Sequence, residues 1–422
     1  MRDGSLPASV RVVFALGIVT GGLALGSLLV RSPAMAGVNF EVYYRAGATL
    51  LEGGDLYAVA APGFPSLPYV YPPVVAVVFL PALVLGDWTV AYLVFTVGNV
   101  LAAGALGVAA LHVAAERGAL VSRREQFLVI GFCTVSAQML SSIYFGNVNP
   151  LLALAIGAGV VALDRGRDRV SGALFGVPAV VKVFPAAFGA YLLWRRSWRA
   201  VTAAVAVGVG AGVLSFILFG IDPHVTWIET AVLPRGSPAA FAGGLPAGAE
   251  YLTLRRPLSL VVPTHPGWMG PLAVLLMAPV VIDVYRHVDP TSDVGSLLAL
   301  HTVLAAVLVV LPSYQVYYVY LLPSLVPLLL CLPAGPGRRL VVVGAALGTL
   351  TVQYPDVAYL LDEPTVVGEL VLTVAEPVLT VGTPPLYGIL LTLAGCVLLA
   401  RRRAATTETW GFDVAEESLR RW

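Results

Sequence analysis

Residues 69–85 read YVYPPVVAVVFLPALVL, and the length of the apolar run after the two prolines decides how the whole chain is threaded. From Pro73 to Leu85 it is about a dozen residues, whereas crossing about 30 Å of hydrocarbon takes roughly 20. Pro72 and Pro73 suit a first helical turn, and Pro81 kinks or ends what they start. The run therefore reads as an interfacial or re-entrant helix. A true span starts near Trp88 and continues to about Ala115. The loop after it carries Arg117, Arg123 and Arg124, so the excess of basic residues places it in the cytoplasm. Were 73–85 a full span, that loop would fall outside. Residues 31–87 thus form one external loop with a surface helix, preceded by a first span over 9–30. That first run is too long for a signal-peptide core and is read as retained.

Composition agrees with this frame. The 422 residues are 58% hydrophobic and 12% charged, with a mean hydropathy of +0.86. Soluble domains carry about 25% charged residues. The fold class is all-α: one polytopic integral membrane domain over 1–422, with about 10–12 transmembrane or re-entrant helices. A net charge of +1 argues against a nucleic-acid partner. Cys133, Cys331 and Cys396 lie in apolar runs without CxxC spacing, and the five histidines include no HExxH. No metal site is expected.

Farther along, 126–145 returns outward, 146–150 is an external turn in which Asn147 and Asn149 suit turn formation, and 151–163 comes back. Basic residues flank 171–194 on both sides, and Lys182-Val-Phe-Pro185 lies at its middle. A broken hairpin with Lys182 near its tip accounts for both facts; a single span with a basic flank is the alternative. A lysine inside an apolar segment is a functional candidate by default. Residues 200–219 go out to a second external loop, 220–267, holding Arg235, Glu250, Tyr251, Arg255 and Arg256. Later spans fall near 268–285, 294–312, 315–333, 340–353 and 385–400. A third external loop, 354–384, carries Asp356, Asp362, Glu363, Glu369 and Glu376. Residues 401–422 form a cytoplasmic tail, so a cell-membrane, multi-pass protein has both termini inside. Arg2 precedes the first span, whose flanking charges barely orient it.

Polar atoms gather early, between Val38 and Pro73. Glu41, Glu52, Asp55 and Arg45 stand there among Tyr43, Tyr44, Tyr57, Tyr69 and Tyr71. An aqueous loop with acid, base and aromatic groups against a bilayer suits chemistry on a lipid-linked polar substrate. Composition alone suits an ordinary interfacial loop as well, with Tyr69 and Tyr71 belting the headgroups. No P-loop, GxSxG or Rossmann fingerprint occurs, which argues against a nucleotide-linked donor.

Four blocks carry a resemblance: NFEVYYRAGATLLEGGDLY (39–57), YVYPPVVAVVFLPALVLG (69–86), GNVNPLLALAIGAGVVAL (146–163) and SGALFGVPAVVKVFPAAFGAYLLWRRSWRA (171–200). In order and spacing they resemble the glycosyltransferase 87 family, and SYQVYYVYLLPSLVPLL (313–329) is more loosely similar to its late block. The resemblance implies a multi-spanning enzyme of GT-C type with no cofactor. It implies a polyprenyl-phosphate sugar as donor, often of mannose, and work on the external face beside membrane lipid. The acceptor is an unspecified glycan, glycolipid or protein. Direct displacement inverts the anomeric carbon, a carboxylate takes the acceptor's proton, and cations hold the leaving phosphate.

The family resemblance expects an aspartate where this chain has Asn39, whose amide is no base near neutral pH. Glu41 and Asp55 are the candidate catalytic carboxylates; in an extended segment Glu41 shares a side with Asn39, and in a helical one it points elsewhere. Candidate substrate-binding residues are Asn39, Tyr43, Arg45, Tyr71, Asn147, Asn149, Lys182, Arg255, Arg256, Tyr314, Gln315 and Tyr317. The last three stand where family members often have a histidine. Lys182 is one expected partner of the lipid phosphate, with Arg255 and Arg256 as rivals already on the external side. Two other function classes compete: a transporter or flippase of a lipid-linked substrate, and a non-catalytic scaffold for envelope glycosylation.

Overall fold

The computed structural model describes residues 6–290, 292–361 and 366–419, with side chains through Arg403 apart from Asp293 and Val366. Arg2, Asp362 and Glu363 lie outside the described residues. The chain is all-α and polytopic. It opens with helix α1, Ala8–Arg31. The first part of the segment read as an external loop forms a helix, α2, Val38–Glu52, bracketed by Gly37 and Gly53 at φ +72°. The alternation of polar and aromatic residues there hid a 3.6-residue period: Val38, Val42, Tyr43 and Ala46 face inward. A two-stranded ribbon follows, β1 (Ala60–Ala61) against β2 (Phe64–Pro68), antiparallel with a bulge.

The decisive run after Pro72 is short, as its length demands. It splits into α3, Pro73–Val77, and a 3-10 turn, Leu80–Leu85. Helix α4, Trp88–Glu116, is the long span, and Asp87 caps it through the amides of Thr89 and Val90 at 2.8 and 3.0 Å. The span expected over 126–145 is bent. Helices α5 (Arg123–Val135) and α6 (Ala137–Tyr144) meet at 46°. Ser136, extended at φ −58° and ψ 150°, breaks the ladder between them.

Helix α7, Asn149–Asp164, returns to the arginine-rich end. Next comes the broken hairpin: α8, Asp168–Lys182, then a 3-10 turn, Phe184–Ala187, then α9, Phe188–Trp194. Val183 forms the break at φ +46°. A β-branched residue there is strained, and Pro185 prevents the helix from simply continuing. Helix α10, Trp198–Phe219, buries little beyond Ala200 and Ser215, as a lipid-facing span does. The second loop holds short helices: α11 (Asp222–Trp227), α12 (Leu233–Gly236) and α13 (Arg255–Val261).

The later part contains α14 (Met269–His287), α15 (Asp293–Val310), a 3-10 turn over Gln315–Leu321 running into α16 (Leu322–Cys331), and α17 (Pro336–Gly348). The acidic third loop is helical rather than open, with α18 (Tyr354–Leu360) and α19 (Val366–Val381). Helix α20, Pro384–Leu419, closes the chain. It lies so tightly on α17 that a side chain on Gly388 would strike the Gly344 carbonyl. Among the described residues five helices are long and apolar enough to cross a membrane, six with the bent pair as one. The interior holds α15 and α16, where His301 bonds Ser324 and Thr392 at 3.1 and 3.0 Å.

Candidate functional site

Tyrosines line one end of the bundle in a continuous row. Tyr43 comes from the inner face of α2, and its hydroxyl lies 3.0 Å from that of Tyr71. The Tyr71 ring stands edge-on to Tyr69 at 5.9 Å, and Tyr57 donates to the Tyr71 carbonyl at 3.0 Å. Tyr69 and Tyr71 are 1% and 6% exposed. They do not belt the interface as the sequence suggested, because the ribbon folds them under α2. Burial pushes the hydroxyls of Tyr43, Tyr69 and Tyr71 above the ordinary tyrosine range, so they remain neutral donors.

The two asparagines meet this row from α6–α7. Asn147 accepts from the Tyr43 hydroxyl at 3.4 Å. Asn149 accepts from Tyr320 at 2.7 Å and donates to Ser142 at 3.2 Å. Neither is a surface turn residue. Asn149 is fully buried in the first turn of α7.

Lys182 reaches the row from the hairpin tip. Its Nζ lies 4.3 Å from the centre of the Tyr317 ring and 5.7 Å from that of Tyr71. It forms no ion pair with a described carboxylate. Burial weighs first against the Lys182 charge, and Arg235, at the end of α12, adds its repulsion and also acts on Tyr71, Tyr317 and Tyr251. Two cations that repel each other without a carboxylate partner make a place for an anion. Arg235 was visible in the sequence only as a loop charge, and nothing local ties it to Lys182, 53 positions earlier.

Tyr314 continues the row. Its ring stacks on Tyr251 at 4.7 Å, with the hydroxyls 3.1 Å apart, and meets Tyr317 edge-on at 6.2 Å. Gln315 is anchored by its backbone N–H, which donates to the Glu250 carbonyl at 3.0 Å. Its buried Nε2 has no hydrogen-bond partner among the described residues, an unsatisfied donor of the kind a substrate would pair.

The fold thus brings together Tyr43, Tyr71, Asn147, Asn149, Lys182, Tyr314, Gln315 and Tyr317. Asn39 stands one helical turn before Tyr43 on α2, and the remaining candidates lie apart from this row. Because α2 is helical, Glu41 is turned about 200° from Asn39, while Asn39 and Tyr43 share a face. Glu41 instead takes Arg45 through Nε at 2.9 Å and the terminal nitrogen at 2.8 Å. Asp55 caps the next turn through the Tyr57 amide at 2.9 Å. Arg255 donates to the carbonyls of Val310 and Gly236 at 3.3 and 3.4 Å. Arg256 is not a loop cation free to meet a phosphate. It is fully buried and donates to Thr380, Pro246 and Ala247 at 3.0–3.1 Å and to Ala249 and Leu379. No group of three His, Cys, Asp or Glu that could hold a metal occurs among the described residues.

An apolar cavity of about 540 Å³ opens beside the cation. It runs between α8 and α10, with Pro72 and Val183, the neighbours of Tyr71 and Lys182, in its wall. Trp227 also lines it, pinned by its indole N–H to the Val70 carbonyl at 3.1 Å.

Comparison with known proteins bears on this site. The profile of glycosyltransferase family 87 matches residues 69–313, more than half of the chain. A polyprenol-phosphate-mannose-dependent alpha-(1-2)-phosphatidylinositol pentamannoside mannosyltransferase of Mycolicibacterium smegmatis is 31% identical over 198 residues, 46% of this chain and 46% of that protein. The protein of the same description from Mycobacterium tuberculosis is 28% identical over 311 residues, 72% of this chain and 67% of that protein. A polyprenol-phosphate-mannose-dependent alpha-(1-2)-phosphatidylinositol mannoside mannosyltransferase of Mycobacterium tuberculosis is 28% identical over 237 residues, 52% of this chain and 55% of that protein. The chain therefore spans about half the length of the first and third of these relatives and about two thirds of the second. No solved structure matches the chain.

Proposed function

The chain belongs to glycosyltransferase family 87, and we propose that it moves a mannosyl residue from a polyprenyl-phosphate donor to a hydroxyl of an extracytoplasmic acceptor. The observation that carries this reading is the Lys182 ammonium held against the ring faces of Tyr317 and Tyr71, with Arg235 near enough to act on its charge and an apolar cavity beginning at the adjacent Val183 and Pro72. A polyprenyl phosphate has those two parts. Its phosphate sits at Lys182 and Arg235, and its isoprenoid tail enters the cavity between α8 and α10. The sugar lies on the tyrosine side, within reach of the unpaired Gln315 amide. The external face is assigned because the opposite end of the bundle carries the basic loops.

In the transfer, the bond from the anomeric carbon to the phosphate oxygen breaks and the acceptor oxygen bonds to the same carbon from the other side, which inverts it. The phosphate leaves as an anion stabilised by the two cations. The acceptor proton needs a base. Asn39 occupies the face where one would stand and cannot accept the proton; it orients the hydroxyl instead. Glu41 and Asp55 are both engaged away from the row, so the acceptor proton passes to water, and its removal is the slow part of this chemistry. The relatives' names make a mannosylated phosphatidylinositol the first acceptor class to test.

The experiment is transfer by the purified chain in lipid vesicles, with labelled polyprenyl-phosphate mannose and phosphatidylinositol mannosides. A labelled product that requires Lys182 supports the reading. Donor that binds but is never transferred, to any membrane acceptor, would shift it to a scaffold that holds lipid-linked sugar.

A further inference from the structure

The end of the bundle opposite the tyrosine row carries a second recess. Helix α7 ends at Asp164 and α8 begins at Asp168. The turn between them, with Gly166 at φ +68°, leaves Arg165, Arg167 and Arg169 exposed together. Two cavities adjoin there. One, about 430 Å³, is a slot between α4, α7 and α8, with Ala109 and Ala158 among its small apolar walls and Arg165 and Arg167 beside them. The other, about 410 Å³, is lined by Arg167, Arg169 and Arg199. Arg167 and Val170 belong to both.

Nearby acids leave this charge largely uncompensated. Asp164 is engaged by Arg117 at 2.7 and 3.0 Å. Glu116 faces His112 at 3.3 Å. Asp168 lines the second cavity and is the acid of the rim. None of the four arginines forms an ion pair with a described carboxylate. Trp198, 61% exposed beside Arg199, marks headgroup depth. Basic residues alone would be ordinary for a cytoplasmic loop. An apolar slot leading from them into the bundle is not required by that role.

We propose that this recess binds an anionic phospholipid, with its phosphate on Arg167, Arg169 and Arg199 and one acyl chain in the slot between α4 and α7. Guanidinium forks match phosphate oxygens in pairs, and basic pockets between membrane helices take acidic headgroups. Helix α8 separates this recess from Lys182 by roughly 21 Å, so the lipid is neither the donor nor a part of the tyrosine site.

The full-length chain, equilibrated with equal amounts of dioleoyl phosphatidylglycerol and dioleoyl phosphatidylcholine, is examined by native mass spectrometry. The expected result is retention of phosphatidylglycerol with at least a tenfold preference. The variant Arg167→Gln/Arg169→Gln/Arg199→Gln loses that preference. Ala109→Phe/Ala158→Phe fills the slot, keeps every arginine, and also loses the lipid, while Lys182→Met retains it. Ala158→Leu serves as the milder filling if the double variant does not elute as a single species. Parent protein without a preference overturns the assignment. So does a slot-filled variant that holds phosphatidylglycerol as the parent does, since that result means surface attraction only.

Discussion

The ammonium of Lys182 stands 4.3 Å from the centre of the Tyr317 ring, though the two residues come from a broken hairpin and from a turn 135 positions later. A ring face supplies a cation with partial compensation but leaves its hydrogen-bonding capacity unused. The same group faces Tyr71 at 5.7 Å. Lys182 is therefore held in place by aromatic rings and left available to an anionic oxygen.

Replacing Lys182 by methionine is expected to raise the donor KM without unfolding the chain. A hydrogen bond to a charged group contributes about 1.5–3 kcal/mol, equivalent to roughly 10- to 150-fold in affinity. Lys182→Arg keeps the charge but presents a planar fork of different reach, and is expected to recover only part of the loss. Arg235→Gln moves in the same direction as Lys182→Met. Kinetics against donor concentration check this, and unchanged KM in both variants would remove the phosphate from this pair.

Asn39→Asp is expected to accelerate transfer. The half-buried residue stands one helical turn before Tyr43 on α2. A carboxylate there would supply the missing base, and general base catalysis contributes about 10²–10⁴-fold. We expect at least a tenfold rise in kcat. Glu41→Gln, on the other side of the helix and clamped by Arg45, is expected to change kcat by less than about fivefold, far below the loss of a general base. A large loss in Glu41→Gln would make Glu41 the base and require α2 to present another face during turnover.

Arg256→Lys tests a structural role. The guanidinium satisfies five carbonyls drawn from the second loop and α19. A lysine has three donors on a single atom and cannot span them. The buried carbonyls left unpaired cost about 1–3 kcal/mol each, so the apparent Tm is expected to fall by roughly 5 °C or more. Thermal unfolding followed by light scattering or fluorescence measures it. Donor KM of the folded fraction stays at the parent value, because Arg256 does not reach the tyrosine row.

The break at Lys182–Val183 was legible in the sequence because two local facts coincide there: a charge inside an apolar run and Pro185 just beyond it. The short run before Pro81 was legible for a similar reason, its length. Helix α2 was not. Its polar residues Asn39, Glu41 and Arg45 are interleaved with Phe40, Tyr43 and Tyr44 closely enough to imitate a polar loop, and its helical period emerges only once its buried side is seen to pack. The site was half legible. Tyr43, Tyr71 and Lys182 stood out by residue type, whereas the roles of Arg235 and Arg256 depend on partners far away in the chain. Arg256 bonds residues 123 and 124 positions later, and no local pattern distinguishes such a buried guanidinium from a solvated one.

The hydroxyl pair Tyr43–Tyr71 contributes to the alkaline behaviour of the fold. An unfolded tyrosine ionises near pH 10, and burial holds both folded hydroxyls above that. Folded values raised above unfolded ones mean that this stabilisation is fully present below about pH 10. It is lost as pH rises past 10 toward the folded values, because the unfolded chain then releases protons that the folded chain retains. Each such group contributes a slope of about 1.4 kcal/mol per pH unit in that window. Stability is therefore expected to be flat with respect to these tyrosines between pH 7 and about pH 9, then to fall. Tyr43→Phe removes one titrating group, so its stability should fall less steeply above about pH 10 even if it starts lower. Chemical or thermal unfolding across pH 7–11.5 for both proteins makes the comparison. Equal slopes above pH 10 would show that Tyr43 ionises in the folded protein as readily as in the unfolded one, and that the pair is open to water.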